Sequence, residues 1–109
     1  MAVFIDVEVT MVDGKTSCNP DPVTLHFDAP QGPDSVAWFF RDSLQHLTPE
    51  FSWDPECPFA TMRDNPVAGK VEGTDNTKKE GDYTYRIAFK DARDNSVATL
   101  DPMIQNRRL

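Results

Sequence analysis

Glycine, cysteine, histidine and long apolar runs are all scarce in this chain, and each shortage removes a class of function. Five glycines among 109 residues leave no Gly-rich loop of the kind that cradles phosphate. The two cysteines, Cys18 and Cys57, and the two histidines, His26 and His46, form no Cys-x-x-Cys or His-x-x-x-His spacing, so no zinc or copper centre is expected. A blue-copper site wants cysteine, histidine and methionine clustered in one late loop, whereas Cys57 is followed by Met62 and no histidine. Asp91, Asp94 and Asn95 read as turn formers rather than calcium ligands, so no cofactor is expected. Ser17 and Ser43 lie in no nucleophile elbow, and Cys57 has no general base near it in sequence.

No apolar run approaches the ~20 residues of a membrane span. The stretch Met1-Ala2-Val3-Phe4-Ile5-Asp6 has no basic n-region and meets Asp6 and Glu8 too early for a signal peptide, which points to the cytoplasm. Thiols in that compartment stay reduced, so Cys18 and Cys57 are expected free, both beside prolines in loops. The balance of 18 acids against 11 bases gives a formal charge of −7, which repels phosphates. Nucleic acid and anionic membranes are therefore not expected partners. The same charge also serves simple solubility.

What the chain does contain is alternation. Val3, Ile5, Val7, Val9 and Met11 fall on one side of a first strand, with Asp6, Glu8 and Thr10 on the other. Asp13-Gly14 supplies turn chemistry. Val23, Leu25 and Phe27 mark a second strand, and Ser35 to Phe40 a third, with Trp38 at its centre. Arg41 to Leu47 has no β pattern and predicts a helical turn. Phe51 and Trp53 predict a short strand, followed by a proline-rich loop to Phe59, and Val67 to Glu72 a weak strand. Thr74 to Glu80 reads as a polar loop.

The strongest signal is Gly81 to Lys90, where Tyr83, Tyr85, Ile87 and Phe89 share one face. Gly-x-Tyr at its mouth is similar to the corner tyrosine of immunoglobulin-like sandwiches. Trp38 follows Leu25 at about the interval between strand B and the core tryptophan of strand C, although the usual first cysteine is absent. Asp91 to Asn95 turns the chain back into Ser96 to Leu100. Nine prolines cut the sequence into short segments, and 109 residues suffice for one domain. The expectation is a single all-β domain over residues 1–109: an immunoglobulin-like antiparallel β-sandwich of about seven strands with a short helical turn.

Tyr83-Thr84-Tyr85-Arg86-Ile87 and Leu100-Asp101-Pro102-Met103-Ile104-Gln105-Asn106, with Ser17-Cys18-Asn19-Pro20-Asp21-Pro22-Val23 earlier, cover about a third of the chain. They resemble the small bacterial DP-EP family of uncharacterised proteins. That resemblance implies a small sandwich and assigns no catalytic residue. Pro102 belongs at an edge or bulge. Asp101 is expected to bond a backbone N–H, and the tail from Met103 to pair with another subunit.

Phe51, Trp53 and Phe59 are the candidate binding residues, since prolines around them keep the segment from regular packing. Their plainer role is to close one end of the core. The expected function is a non-enzymatic binding or structural module that self-associates or takes a protein partner, through an edge strand or the 51–59 loop. The alternative is a small-molecule or carbohydrate site stacked on Trp53 and its neighbours. A thiol enzyme using Cys57 with His46 or His26 stands third.

Overall fold

The computed structural model, which describes residues 4–30, 32–54, 56–65, 69–77 and 80–108, is all-β apart from a single 3₁₀ turn among those residues. Its strands are β1 (Phe4–Val12), β2 (Lys15–Asn19), β3 (Val23–His26), β4 (Ser35–Phe40), β5 (Thr48–Asp54), β6 (Phe59–Asn65), β7 (Lys70–Asn76), β8 (Gly81–Lys90), β9 (Ser96–Leu100) and β10 (Met103–Arg107). The 3₁₀ turn covers Asp42–His46, where a helical turn is expected from the sequence.

One sheet runs β2-β1-β4-β7-β6 and the other β3-β10-β8-β5, with β9 also paired to β8. Both sheets are mixed, because β1 lies parallel to β4 and β3 parallel to β10. The all-antiparallel expectation is thereby corrected. Alternation along one strand reports which face is buried and carries no information about a partner's direction.

Among the described residues ten strands stand where about seven are expected. The polar Lys15–Asn19 hides β2, because of its residues only Thr16 and Cys18 turn towards the interior. Phe59, expected at the end of a loop, instead opens β6, which runs on through residues for which the sequence predicts no element. The polar loop expected from Thr74 proves to hold the end of β7, and its Asn76 is buried. Residues 67 and 68, part of the weak strand expected there, lie outside the described residues.

The secure elements behave as their patterns require. Val7 and Val9 of β1 are buried, as are Tyr83, Tyr85, Ile87 and Phe89 of β8, while Thr84 and Arg86 face solvent. Asp13 and Gly14 take positive φ of 52° and 76° in the β1–β2 hairpin, and Asp94 takes 64° in the β8–β9 turn. Trp38 is fully buried, with Leu25, Ile87, Phe89 and Ile104 around the same core.

Asp101-Pro102 interrupts what is otherwise one partner strand for β8. Ile87 faces Leu100 on β9 and Thr84 faces Met103 on β10, so the register carries straight through the break. Across it, Tyr85 N–H donates to the Pro102 carbonyl (3.2 Å). The Asp101 carboxylate accepts from Arg86 Nε at 2.7 Å, a cross-strand ion pair in place of the backbone bond expected of it. Beyond the break, β10 leaves β9's path and lies between β3 and β8. Both its sides are taken within the chain, which removes the expected pairing of this strand with another subunit.

Gly73 on β7 marks a close approach. A Cβ there would come within 2.8 Å of the Phe59 ring, which lies over the bare backbone. Gly73→Ala is therefore expected to displace that ring and cost about 1–3 kcal/mol. Thermal unfolding of the variant measures the loss.

Candidate functional site

On one flank of the sandwich both sheets end together: β6 is the last strand of the first sheet and β5 the last of the second. The gap between these edges is closed by rings. Trp53 stacks on Tyr85 (centroids 4.6 Å, 22°) and meets Phe59 edge-on at 6.1 Å. Phe51 lies 6.2 Å from Trp53 and 6.1 Å from Tyr85, nearly parallel to both. Trp38, on β4 of the first sheet, meets Phe51, Trp53 and Tyr85 of the opposite sheet and Phe59 of its own at inclined angles.

All three candidate residues named from the sequence thus belong to one cluster. Phe51 and Trp53 sit on β5, where a short strand is expected, whereas Phe59, expected at the end of a loop, opens β6. Phe59 is 5% exposed, whereas Phe51 and Trp53 are half-buried. The prolines do not prevent regular structure here because Pro49 occupies a position where no ladder bond is lost.

The backbone polarity of β5 follows from one hydrogen bond. Tyr85 gives its N–H to Pro102, on the side of β8 away from β5. The facing pair Trp53 and Tyr85 therefore exchanges no hydrogen bonds. By alternation the same holds for Phe51 with Ile87 and for Pro49 with Phe89. Phe51 and Trp53 accordingly direct their N–H and C=O groups to the outer edge of β5. No strand among the described residues pairs with that edge. Glu50, Ser52 and Asp54 bond β8 instead and turn their side chains to solvent on the outer face.

On that outer face, next to the edge, lies an open depression of about 390 Å³ lined by Ser52, Asp54, Thr84, Arg86 and Asp101. Thr84 Oγ1 donates to the Asp54 carbonyl at 2.9 Å, and Arg86 is held by Asp101. Trp53 and Tyr85 border it, but strand alternation turns their rings to the interior face. The side chains that face the depression are therefore polar ones, with its neighbouring aromatic rings on the far side of the sheet.

Beneath the flank, Trp38 Nε1–H donates to Tyr85 Oη at 2.9 Å. Burial pushes the Tyr85 phenol well above its ordinary range, and the bond from Trp38 only partly opposes this. Burial also pushes the Cys18 thiol up to about 11, with the charge of Asp21 adding to it. Both groups keep their protons in the folded state after the unfolded chain has released them. Their stabilisation is thus complete below pH 9.0, the ordinary thiol value, and falls as pH rises through 10.0, the ordinary phenol value. The urea midpoint is expected to drop steadily from pH 9 to 11, and less steeply in Cys18→Ala.

A thiol with so high a pKa is a poor nucleophile at neutral pH. Cys57 Sγ accepts from the Phe59 N–H (3.4 Å) within its own turn. His26 lies against the buried Asp34, with Nδ1 3.6 Å from the carboxylate and its backbone N–H donating at 3.0 Å. Cys18 and Cys57 are both free thiols. Among the described residues no three His, Cys, Asp or Glu side chains converge on a metal position, and no helix is long and apolar enough to cross a membrane.

The open edge escaped the sequence reading, although one residue signalled it. A proline inside a strand must aim its nitrogen away from the neighbour it pairs with. Pro49 shares its phase with Phe51 and Trp53, so its presence already marked which backbone groups face outward. No protein-family model matches the chain, and no curated protein matches it.

Proposed function

We propose that this chain is a non-enzymatic interaction module that takes up a strand of another protein along the outer edge of β5. The observation that carries the reading is the pair of residues, Phe51 and Trp53, whose N–H and C=O groups face an edge with no described strand beside it. Strand addition satisfies such groups directly and gives affinity through main-chain hydrogen bonds. The half-buried Trp53 stands at the same edge, placed to be covered by an incoming apolar side chain. Pro49, Glu50 and Asp54 flank these groups and limit indiscriminate pairing, as prolines and charges do on natural edges.

A foreign chain suits this edge better than a second copy. Antiparallel self-pairing centred on Ser52 sets Glu50 against Asp54 of the other copy, twice, and like charges directly opposite destabilise a ladder. Light scattering separates the two: a mass near 12.3 kDa at every concentration assigns the edge to a foreign chain, and a doubled mass assigns it to a copy. The carbohydrate alternative is less well supported, because one face of Trp53 is already stacked on Tyr85. The immunoglobulin-like reading of the sandwich rests on Trp38 at the centre of the core, and the family resemblance on the Tyr83 to Asn106 motifs.

Titration with the neutral peptide Thr-Val-Thr-Val-Thr, followed by amide NMR, tests the proposal. Shifts centred on the amides of Phe51 and Trp53 are expected. No shifts, or shifts centred on another strand, contradict it.

A further inference from the structure

Resting on strand addition at β5, we infer that the accepted strand is two-faced, with apolar residues opposite Phe51 and Trp53 and basic residues opposite Glu50 and Asp54. Facing residues of an antiparallel pair project to the same side of a sheet. A residue opposite Phe51 or Trp53 therefore points inward, over the mouth between the two sheets, where it meets half-buried rings. A residue opposite Glu50, Ser52 or Asp54 points outward, over the rim of the open depression.

The charges on that rim set the chemistry. Glu50 and Asp54 are exposed carboxylates on the accepting strand itself, in a chain with a formal charge of −7. On the neighbouring strand Arg86, diagonal to both carboxylates, is held 2.7 Å from Asp101 on the side away from β5, and Lys90 stands diagonal to Glu50 alone. Ser52, directly beside Arg86, offers a hydroxyl and no charge, so the middle outward position calls for a small neutral residue. The partner pattern is thus basic-apolar-neutral-apolar-basic. Lys-Val-Thr-Val-Lys satisfies it, with its first lysine opposite Asp54 and its last opposite Glu50.

Three blocked peptides test this against the intact protein at low salt: Lys-Val-Thr-Val-Lys, the neutral Thr-Val-Thr-Val-Thr and the acidic Glu-Val-Thr-Val-Glu. Amide and Trp53 indole NMR shifts read the binding. Two exposed ion pairs predict that the lysine peptide binds about fivefold tighter than the neutral one, with most of the advantage lost at 1 M salt. The acidic peptide is expected to bind weakest. In Glu50→Lys/Asp54→Lys, both substitutions being of exposed residues, the order of the lysine and acidic peptides should reverse. N-methylation of both valines should abolish binding in each case.

Equal binding of all three peptides at Phe51 and Trp53 overturns the basic preference and leaves strand addition standing. Binding of the lysine peptide that survives valine N-methylation overturns the ladder geometry and reduces the contact to surface charge. Failure of all three peptides overturns strand addition itself.

Discussion

Trp38→Ala is expected to lower folding stability by about 3–5 kcal/mol, read as a fall in the urea midpoint at unchanged slope. Small domains are typically stable by about 5–15 kcal/mol, so the variant should be largely unfolded at temperatures the native protein tolerates. The indole is fully buried and stands between the sheets, with ring centroids 5.0 Å from Phe51 and 5.9 Å from Tyr85. Truncation removes the apolar contacts, the inclined ring pairs and the hydrogen bond to Tyr85 together. Tyr85→Phe isolates the last of these. It keeps the packing but leaves the Trp38 N–H without its acceptor, at a cost of about 1–3 kcal/mol. Because Trp38 carries Phe51 and Trp53 on its surface, loss of either contact should also loosen the β5 edge.

The second large effect is expected at a side-chain amide pair that bridges the sheets. Asn76 on β7 and Asn106 on β10, 1% and 0% exposed, exchange two hydrogen bonds of 2.7 and 3.1 Å across the core. Asn76→Ala removes both of these bonds from the buried Asn106 amide at a cost of about 1–3 kcal/mol, with a further loss from the cavity. Asn106→Ala should cost a similar amount. The double variant should cost less than the sum of the two, since each single change already breaks the same bonds. Denaturation of the four proteins in this cycle measures the coupling, and strict additivity would show that the pair contributes nothing jointly.

Much of the fold is legible in the sequence because several strands carry one buried and one exposed face. β1 and β8 announce themselves through Val7, Val9 and the Tyr83–Phe89 alternation, and the Asp13-Gly14 turn through its need for positive φ. β2 and the end of β7 are silent for the opposite reason: at a sheet edge or beside a buried amide, polar residues such as Thr16 and Asn76 face inward. Strand direction is silent too, since the parallel pairing of β1 with β4 depends on chain that passes through the second sheet between them. At the candidate site the aromatic residues were readable and their setting was not. Phe51, Trp53 and Phe59 stand out by type, but only the register with β8 shows which backbone groups of β5 remain on the edge.

Amide hydrogen exchange along β5 in the free protein tests the central claim most directly. The account predicts alternation: fast exchange at Phe51 and Trp53, whose N–H groups face the open edge, and protection at Glu50, Ser52 and Asp54, whose N–H groups bond β8. Protection at Phe51 and Trp53 with exchange at Glu50, Ser52 and Asp54 would contradict it, placing the latter three, and not Phe51 and Trp53, on the open edge.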